Sequence, residues 1–128
     1  MHERSYQSFT ELELWKRARF LKNEIKETVE AFPQYERYRL TDQIIRSSRG
    51  INAAIAEGHG RFTFKDQLHF CIIARGSLSE TENHLIDALD CKYITVEKCE
   101  YLQNIVNDVR RLLNGYINYL RKNMFPKI

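Results

Sequence analysis

The stretch Ile55 to Thr63, IAEGHGRFT, brings two glycines, a histidine and an arginine together. These are the residue types of a loop that cradles phosphate through backbone N–H groups. Such a loop needs a preceding strand and more of the pattern, either a third glycine or a Gly-Lys-Ser/Thr run. Neither is here, and long apolar-periodic segments lie on both sides. The stretch therefore reads as a corner between two helices, with Gly58 taking the left-handed conformation that closes one helix, Gly60 loosening the turn and Thr63 capping the next.

Other chemistry finds no better footing. A di-iron centre in a helical bundle uses Glu-x-x-His on each of two helices plus two further inward glutamates. Asp66 and His69 have that spacing and no second copy exists. His2, His59, His69 and His84 form no i,i+4 pair, and Cys71, Cys91 and Cys99 form no CxxC. Ser47, Ser48, Ser77 and Ser79 fall inside helical patterns, without the Gly-x-Ser-x-Gly elbow of a nucleophile. The sequence thus predicts no catalytic residue, no metal site and no cofactor, and a protein that is not an enzyme.

These residues must be positioned by something, and the totals say what. At 128 residues the chain suits one domain, 1–128, with one core. Five glycines and two prolines leave room for long helices. The apolar share of 43% and charged share of 29% fit an amphipathic soluble protein. No apolar run approaches the ~20 residues of a membrane span, and the first residues lack a signal-peptide core. A cytoplasmic protein with no membrane partner and buried, reduced thiols is the expectation.

Apolar residues recur every three or four positions in four segments, roughly 9–32, 36–57, 63–91 and 95–122. In the first they are Phe9, Leu12, Trp15, Ala18, Leu21, Ile25, Val29 and Phe32, and Pro33 ends it. Leu40, Ile44, Ser48, Ile51 and Ile55 mark the second; Leu68, Ile72, Leu78, Leu85 and Leu89 the third. Thr95 caps the fourth, which carries Val96, Leu102, Ile105, Val109, Leu112, Tyr116 and Leu120. Short connections imply antiparallel neighbours, hence an all-α, up-down-up-down four-helix bundle. A corner centred near His59 and Gly60 sets Ser47 level with Ala74, and Gly76 and Ser77 level with Ile44. That register predicts close packing or a protomer contact at mid-height, and an ion pair from Arg46 to Glu80.

The pieces FTELELWKRA, FPQYERYRLTDQIIRSSRGI, IAEGHGR and FCIIARGSLSETENHL together resemble the four-helix-bundle proteins encoded within intervening sequences of bacterial 23S ribosomal RNA genes. The matching positions are Trp15, Gln43, Arg46, Ile55, Ala56, Glu57, Gly58, Gly60, Arg61, Gly76, Ser77 and Glu80. The resemblance implies assembly into cyclic homopentamers. A related group, the accessory proteins of diversity-generating retroelements, implies a basic ring that engages a reverse transcriptase and nucleic acid. One departure is visible: Asn52, Ala53 and Ala54 stand where the family often reads Pro-Ala-Asn, so its asparagine is displaced from position 54.

Sorting charge by height in the up-down topology gives the picture its polarity. Residues 1–22, 45–75 and 108–128 hold 15 Lys and Arg against 6 Asp and Glu; the remainder holds 5 against 11. A net charge of +3 conceals a basic end at +9 and an acidic end at −6. Lys16, Arg17, Arg19, Arg61, Lys65, Arg110, Arg111, Arg121, Lys122 and Lys127 form the candidate phosphate-binding set. Phe62, Phe64, Tyr116, Tyr119 and Phe125 lie at the same end, available to stack on unpaired bases. The motif residues Arg46, Glu57, Gly58, Gly60, Gly76, Ser77 and Glu80 take structural parts, the glycine corner presenting Arg61. The expected function is non-catalytic nucleic-acid binding by a homo-oligomer, RNA preferred. The alternative is an interaction scaffold, an accessory ring for an RNA-processing or reverse-transcribing enzyme. The acidic end suits a basic partner protein or repulsion between stacked rings.

Overall fold

In the computed structural model, residues 8–124 are described. They form four α-helices and no strand: α1 Glu13–Thr28, α2 Leu40–His59, α3 Phe64–Asp90 and α4 Val96–Met124. The helices make a four-helix bundle around a core in which Ala18, Leu21, Ile25, Ile44, Ile51, Ala74, Leu78, Leu85, Leu102, Val106, Val109, Leu113 and Leu120 are fully enclosed. Among the described residues, no helix is long and apolar enough to cross a membrane.

The first segment is not one α-helix from 9 to 32. Leu12 is extended at φ −71°, ψ 127°, which splits a 3-10 turn over Phe9–Glu11 from α1. Ser8 caps that turn by accepting from Thr10 N–H, and Phe9 meets the Trp15 ring edge-on at 5.3 Å. Pro33 acts as the sequence predicts: Phe32 is extended at ψ 149°, and α1 tightens into a 3-10 turn, Val29–Ala31, before it. The second helix starts four residues later than its apolar pattern, at Leu40 rather than Glu36. Glu36 stays outside, where one carboxylate oxygen accepts from Leu40 N–H and the other from the Tyr93 hydroxyl.

Thr63 and Thr95 cap α3 and α4, accepting from Asp66 N–H at 3.1 Å and Lys98 N–H at 3.0 Å. The α3 end is closed by Lys92 in the left-handed region, φ 63°, with Tyr93 N–H returning to Ala88 O. The apolar stripes hold in part. Ile72 and Val96, both placed on the core side by periodicity, are exposed, while Cys71, Ala74 and Thr81 are buried on α3 and Cys99, Val106, Leu113 and Ile117 on α4.

Gly58 corrects the sequence reading most. It lies within α2, no glycine here has a positive φ, and the helix closes right-handed at Gly60 (φ −79°, ψ −2°). What Gly58 supplies is space. A Cβ placed on it would sit 2.9 Å from Phe70 Cβ and 3.3 Å from Gln67 O. Further along the seam a Cβ on Gly50 would meet Ser77 Oγ at 3.3 Å, and Ser47 Oγ shares a 2.8 Å hydrogen bond with Thr81 Oγ1. Ser47 thus faces Thr81 instead of Ala74, a slip of about 10 Å along α3 at about 1.5 Å per residue. The Arg46–Glu80 pair does not form, although this register brings the two closer in height: each side chain turns to its own helix, Arg46 approaching Asp42 at 3.7 Å and Glu80 meeting His84 at 3.3 Å. Gly76 has open space around it, so the close approach falls on Gly50 and Ser77.

Asn52 is buried and donates from Nδ2 to Trp15 O at 3.2 Å, tying α2 to α1. Of the thiols, Cys71 and Cys99 are buried as expected and Cys91 is exposed. Burial pushes the Cys71 thiol up to about 11.

Gly58→Ala is expected to destabilise the protein by about 1–3 kcal/mol through overpacking against Phe70, whereas Gly76→Ala, with open space, should stabilise it by about 0.5–1 kcal/mol; chemical denaturation measures both. A thiol reagent at pH 8 should modify Cys91 while Cys71, still protonated, resists until the protein unfolds. The contribution of Cys71 to stability is full below its ordinary pKa of 9.0 and declines as pH rises towards 11, because only the unfolded thiol ionises in that window.

Candidate nucleic-acid interface

The α2–α3 corner is built from its own ends inward. Gly60 N–H returns to Ala56 O and Glu57 O, and Arg61 N–H to Gly58 O at 3.0 Å. The open side of the turn is stapled from α3, where Gln67 Nε2 donates to Arg61 O at 2.8 Å. The Arg61 guanidinium lies 2.7 Å from Glu57 Oε2 and 4.7 Å above the centre of the Phe70 ring. Glu57, Gly58, Gly60 and Arg61 thus come together as the sequence predicts, but much of the Arg61 charge is met by Glu57. Gln67 and Phe70 escaped the sequence reading, since their part depends on where α3 lies against α2.

Next to Arg61, Phe62 is fully exposed. Phe64, opening α3, meets Tyr119 of α4 edge-on at 6.1 Å, and Tyr116 lies stacked beside Tyr119 with its hydroxyl on Gln67 Oε1 at 3.5 Å. Because α4 runs on from Tyr119 to Met124, its last turn reaches about 8 Å past that contact at ~1.5 Å per residue. Arg121 and Lys122 therefore stand at the level of the corner, with Lys65 in the first turn of α3. All three are exposed and, among the described residues, make no ion pair.

The other candidates are arranged differently. Lys16 approaches Glu13 at 3.6 Å and Arg111 approaches Asp108 at 3.7 Å, both on the surface. Arg17 lies over Phe20 and Arg19 over Trp15, with 5.7 and 5.6 Å to the ring centres. Arg110 is turned inward: with Gln103 it holds Glu82, bridging α4 to α3 half out of solvent. It does not belong to the exposed basic set. Lys127 and Phe125 lie outside the described residues.

A second basic group was missed altogether. Lys22, Asn23 and Lys26 of α1 line a small cavity with Ile45, Ser48 and Arg49 of α2. Sorting by height assigned Lys22 and Lys26 to opposite ends and could not show that α1 and α2 share this face. The i,i+4 spacing of Lys22 and Lys26 was the available signal. Among the described residues, no group of three or more His, Cys, Asp or Glu side chains could hold a metal ion.

A family model described as 23S rRNA-intervening sequence protein matches residues 10–115. Among solved structures, the chain is similar to a protein of unknown function from the S23 ribosomal protein family of Bacteroides thetaiotaomicron VPI-5482. The two share 24% identity and a TM-score of 0.75, over 81% of this chain and 97% of that one. At that identity the likeness speaks for the fold alone. No curated protein matches the chain significantly.

On a polyanionic heparin column Glu57→Gln should elute at higher salt than the parent, because it releases the Arg61 charge. Arg121→Gln should elute earlier than Arg110→Gln, whose charge is already met by Glu82. The order of stabilities should be the reverse, Arg110→Gln losing on the order of 1 kcal/mol by leaving Glu82 without its cation.

Proposed function

The chain belongs to the 23S rRNA-intervening sequence protein family, and from that membership we propose that it is a non-catalytic, oligomeric nucleic-acid-binding protein of the cytoplasm, with RNA preferred. The observation that carries this reading is the exposed trio Lys65, Arg121 and Lys122, without an ion pair among the described residues, towards the end of the bundle where Phe62 is fully exposed. The cations capture phosphates and release their counterions, a gain that needs no base sequence. Phe62 offers a face on which an unpaired base stacks, which favours single-stranded or looped RNA over a closed duplex. Arg61, next to Phe62 in the chain, is held by Glu57 and Phe70.

The protomer is an up-down-up-down bundle in this reading. Support comes from the partner order on α2 and α3: from Ser47 through Gly50 to Gly58 the partners fall from Thr81 through Ser77 to Phe70. Five protomers close a ring that sums their basic ends on one face. Ile72, Gly76 and Ile86 favour self-association, because they share one exposed stripe of α3 at helical spacing. The same stripe supports the second reading, an interaction scaffold for a protein partner.

Salt separates the two. Fluorescence anisotropy with a labelled structured RNA and a matched duplex DNA, across a salt series, should give RNA binding that weakens steeply as salt rises. The variant Arg61→Glu/Arg121→Glu/Lys122→Glu, of unchanged oligomeric mass by light scattering, should lose it. No binding at low salt by an intact oligomer would overturn the proposal and favour the scaffold.

A further inference from the structure

The face shared by α1 and α2 holds more positive charge than its own carboxylates meet. Lys22, Lys26 and Arg49 line one cavity of about 90 Å³ with Asn23, Ile45 and Ser48. Among the described residues none of the three cations has an ion pair. Among the neighbouring carboxylates, Glu24 accepts from Tyr101 of α4, Asp42 is paired with Arg46, and Glu30, four residues beyond Lys26, is exposed without an ion pair among the described residues. Glu27 lines a separate depression with Tyr93 and Lys98. Burial pushes the Lys22 ammonium below its ordinary value, and the charges of Arg19, Arg49 and Lys26 push it further the same way. Like charges held this close without a counter-charge destabilise the face that carries them.

We propose that this α1–α2 cavity is a phosphate-binding site, in which Lys22, Lys26 and Arg49 grip one phosphate group, seated there as part of an RNA backbone. Its use for RNA rests on the function proposed above; its chemistry does not. The cavity has room for several waters, enough to seat a tetrahedral oxyanion. Arg49 presents a planar fork to two oxygens, and the two ammonium groups act as point charges with several donors each. The Asn23 carbonyl oxygen accepts from Lys22 Nζ at 3.2 Å, which turns its amide NH₂ away from Lys22 and leaves it to donate. Ser48 Oγ donates to Ile45 O at 3.1 Å, so it serves as floor rather than as a donor to the anion. Asn23 also borders a shallower depression lined by Lys16, Arg19 and Phe20, which extends the basic track along α1.

The test compares the parent with Lys22→Gln/Lys26→Gln/Arg49→Gln in two assays. Relief of repulsion should leave this variant at least as stable as the parent in chloride buffer, so a folding defect does not enter. Inorganic phosphate should raise the melting temperature of the parent above that in chloride of equal ionic strength, and should not raise that of the variant. In the RNA titration the variant should bind several-fold more weakly, with a log–log salt slope shallower by about 0.7 for the one phosphate lost. A lost phosphate response with unchanged RNA affinity would keep the site and assign it to free phosphate. If the parent binds no RNA but responds to phosphate through these residues, the site stands and the proposed function falls. Equal phosphate responses and equal RNA affinities in parent and variant overturn the site; RNA loss in the Arg61, Arg121 and Lys122 variant would show that the wider binding reading survives.

Discussion

Where a side chain is missing, a helix can come closer, and at Gly58 that closeness sets the geometry of one whole end of the molecule. The seam between α2 and α3 is small on at least one side at each contact: Gly58 under Phe70, Gly50 against Ser77, Ser47 against Thr81. Close approach lets backbone atoms share dispersion contacts that longer side chains would prevent. It also draws the first turns of α3 beneath the end of α2. The Phe70 ring then lies under the Arg61 guanidinium and Gln67 reaches the Arg61 carbonyl. The same two turns present Phe64 to Tyr119 and Gln67 to Tyr116, which brings the last turn of α4 alongside. The geometry of the α2–α3 corner thus follows from this close helix contact.

What is local in the chain was legible in it. Thr63 and Thr95 cap where they should, Phe32 is extended because a proline follows, and the α2 stripe from Leu40 to Ile55 is buried throughout. What depends on two helices meeting was not. A glycine near a helix end has two uses, left-handed closure or close approach, and only the partner helix distinguishes them. Taking the first use for Gly58 displaced the α2–α3 register, while the Arg46–Glu80 pair fails for another reason, each side chain finding a partner four residues away on its own helix. Arg110 and Arg111 are adjacent in sequence, yet one holds Glu82 between helices and the other faces solvent. Leu12 breaks a helical pattern that its neighbours would continue, beside the contact of Phe9 with Trp15. Lys22, Lys26 and Arg49 meet on a shared face, which sorting along the bundle axis cannot reveal.

The count of basic residues overstates the free positive charge, and the structure says where the difference goes. Lys16, Arg46, Arg61, Arg110 and Arg111 each have a carboxylate within ion-pair distance. Exposed pairs of this kind add little to stability, but they flatten the field locally. Among the described cations without an ion pair, Lys65, Arg121 and Lys122 lie towards the α2–α3 corner and Lys22, Lys26 and Arg49 between α1 and α2. The far end of the bundle is closed by different means: Tyr35, Glu36 and Tyr93 join the α1–α2 connection to the α3–α4 connection through hydroxyl hydrogen bonds. Those bonds, to Tyr35 and Glu36, push the Tyr93 hydroxyl well above its ordinary value.

The buried polar groups between helices, Asn52 on the Trp15 carbonyl and Ser47 on Thr81, contribute little net stability, since they exchange hydrogen bonds with water for bonds within the protein and the Asn52 Oδ1 is buried without a partner among the described residues. Their effect is on alternatives. Four amphipathic helices of mostly aliphatic core could slide past one another by a turn and still bury oil against oil. A slid arrangement would bury the Asn52 amide and the Ser47 hydroxyl without their partners, at about 1–3 kcal/mol for each. The interior polar contacts therefore select one alignment among several that the apolar residues alone would accept, much as a single polar residue fixes the alignment of a coiled coil.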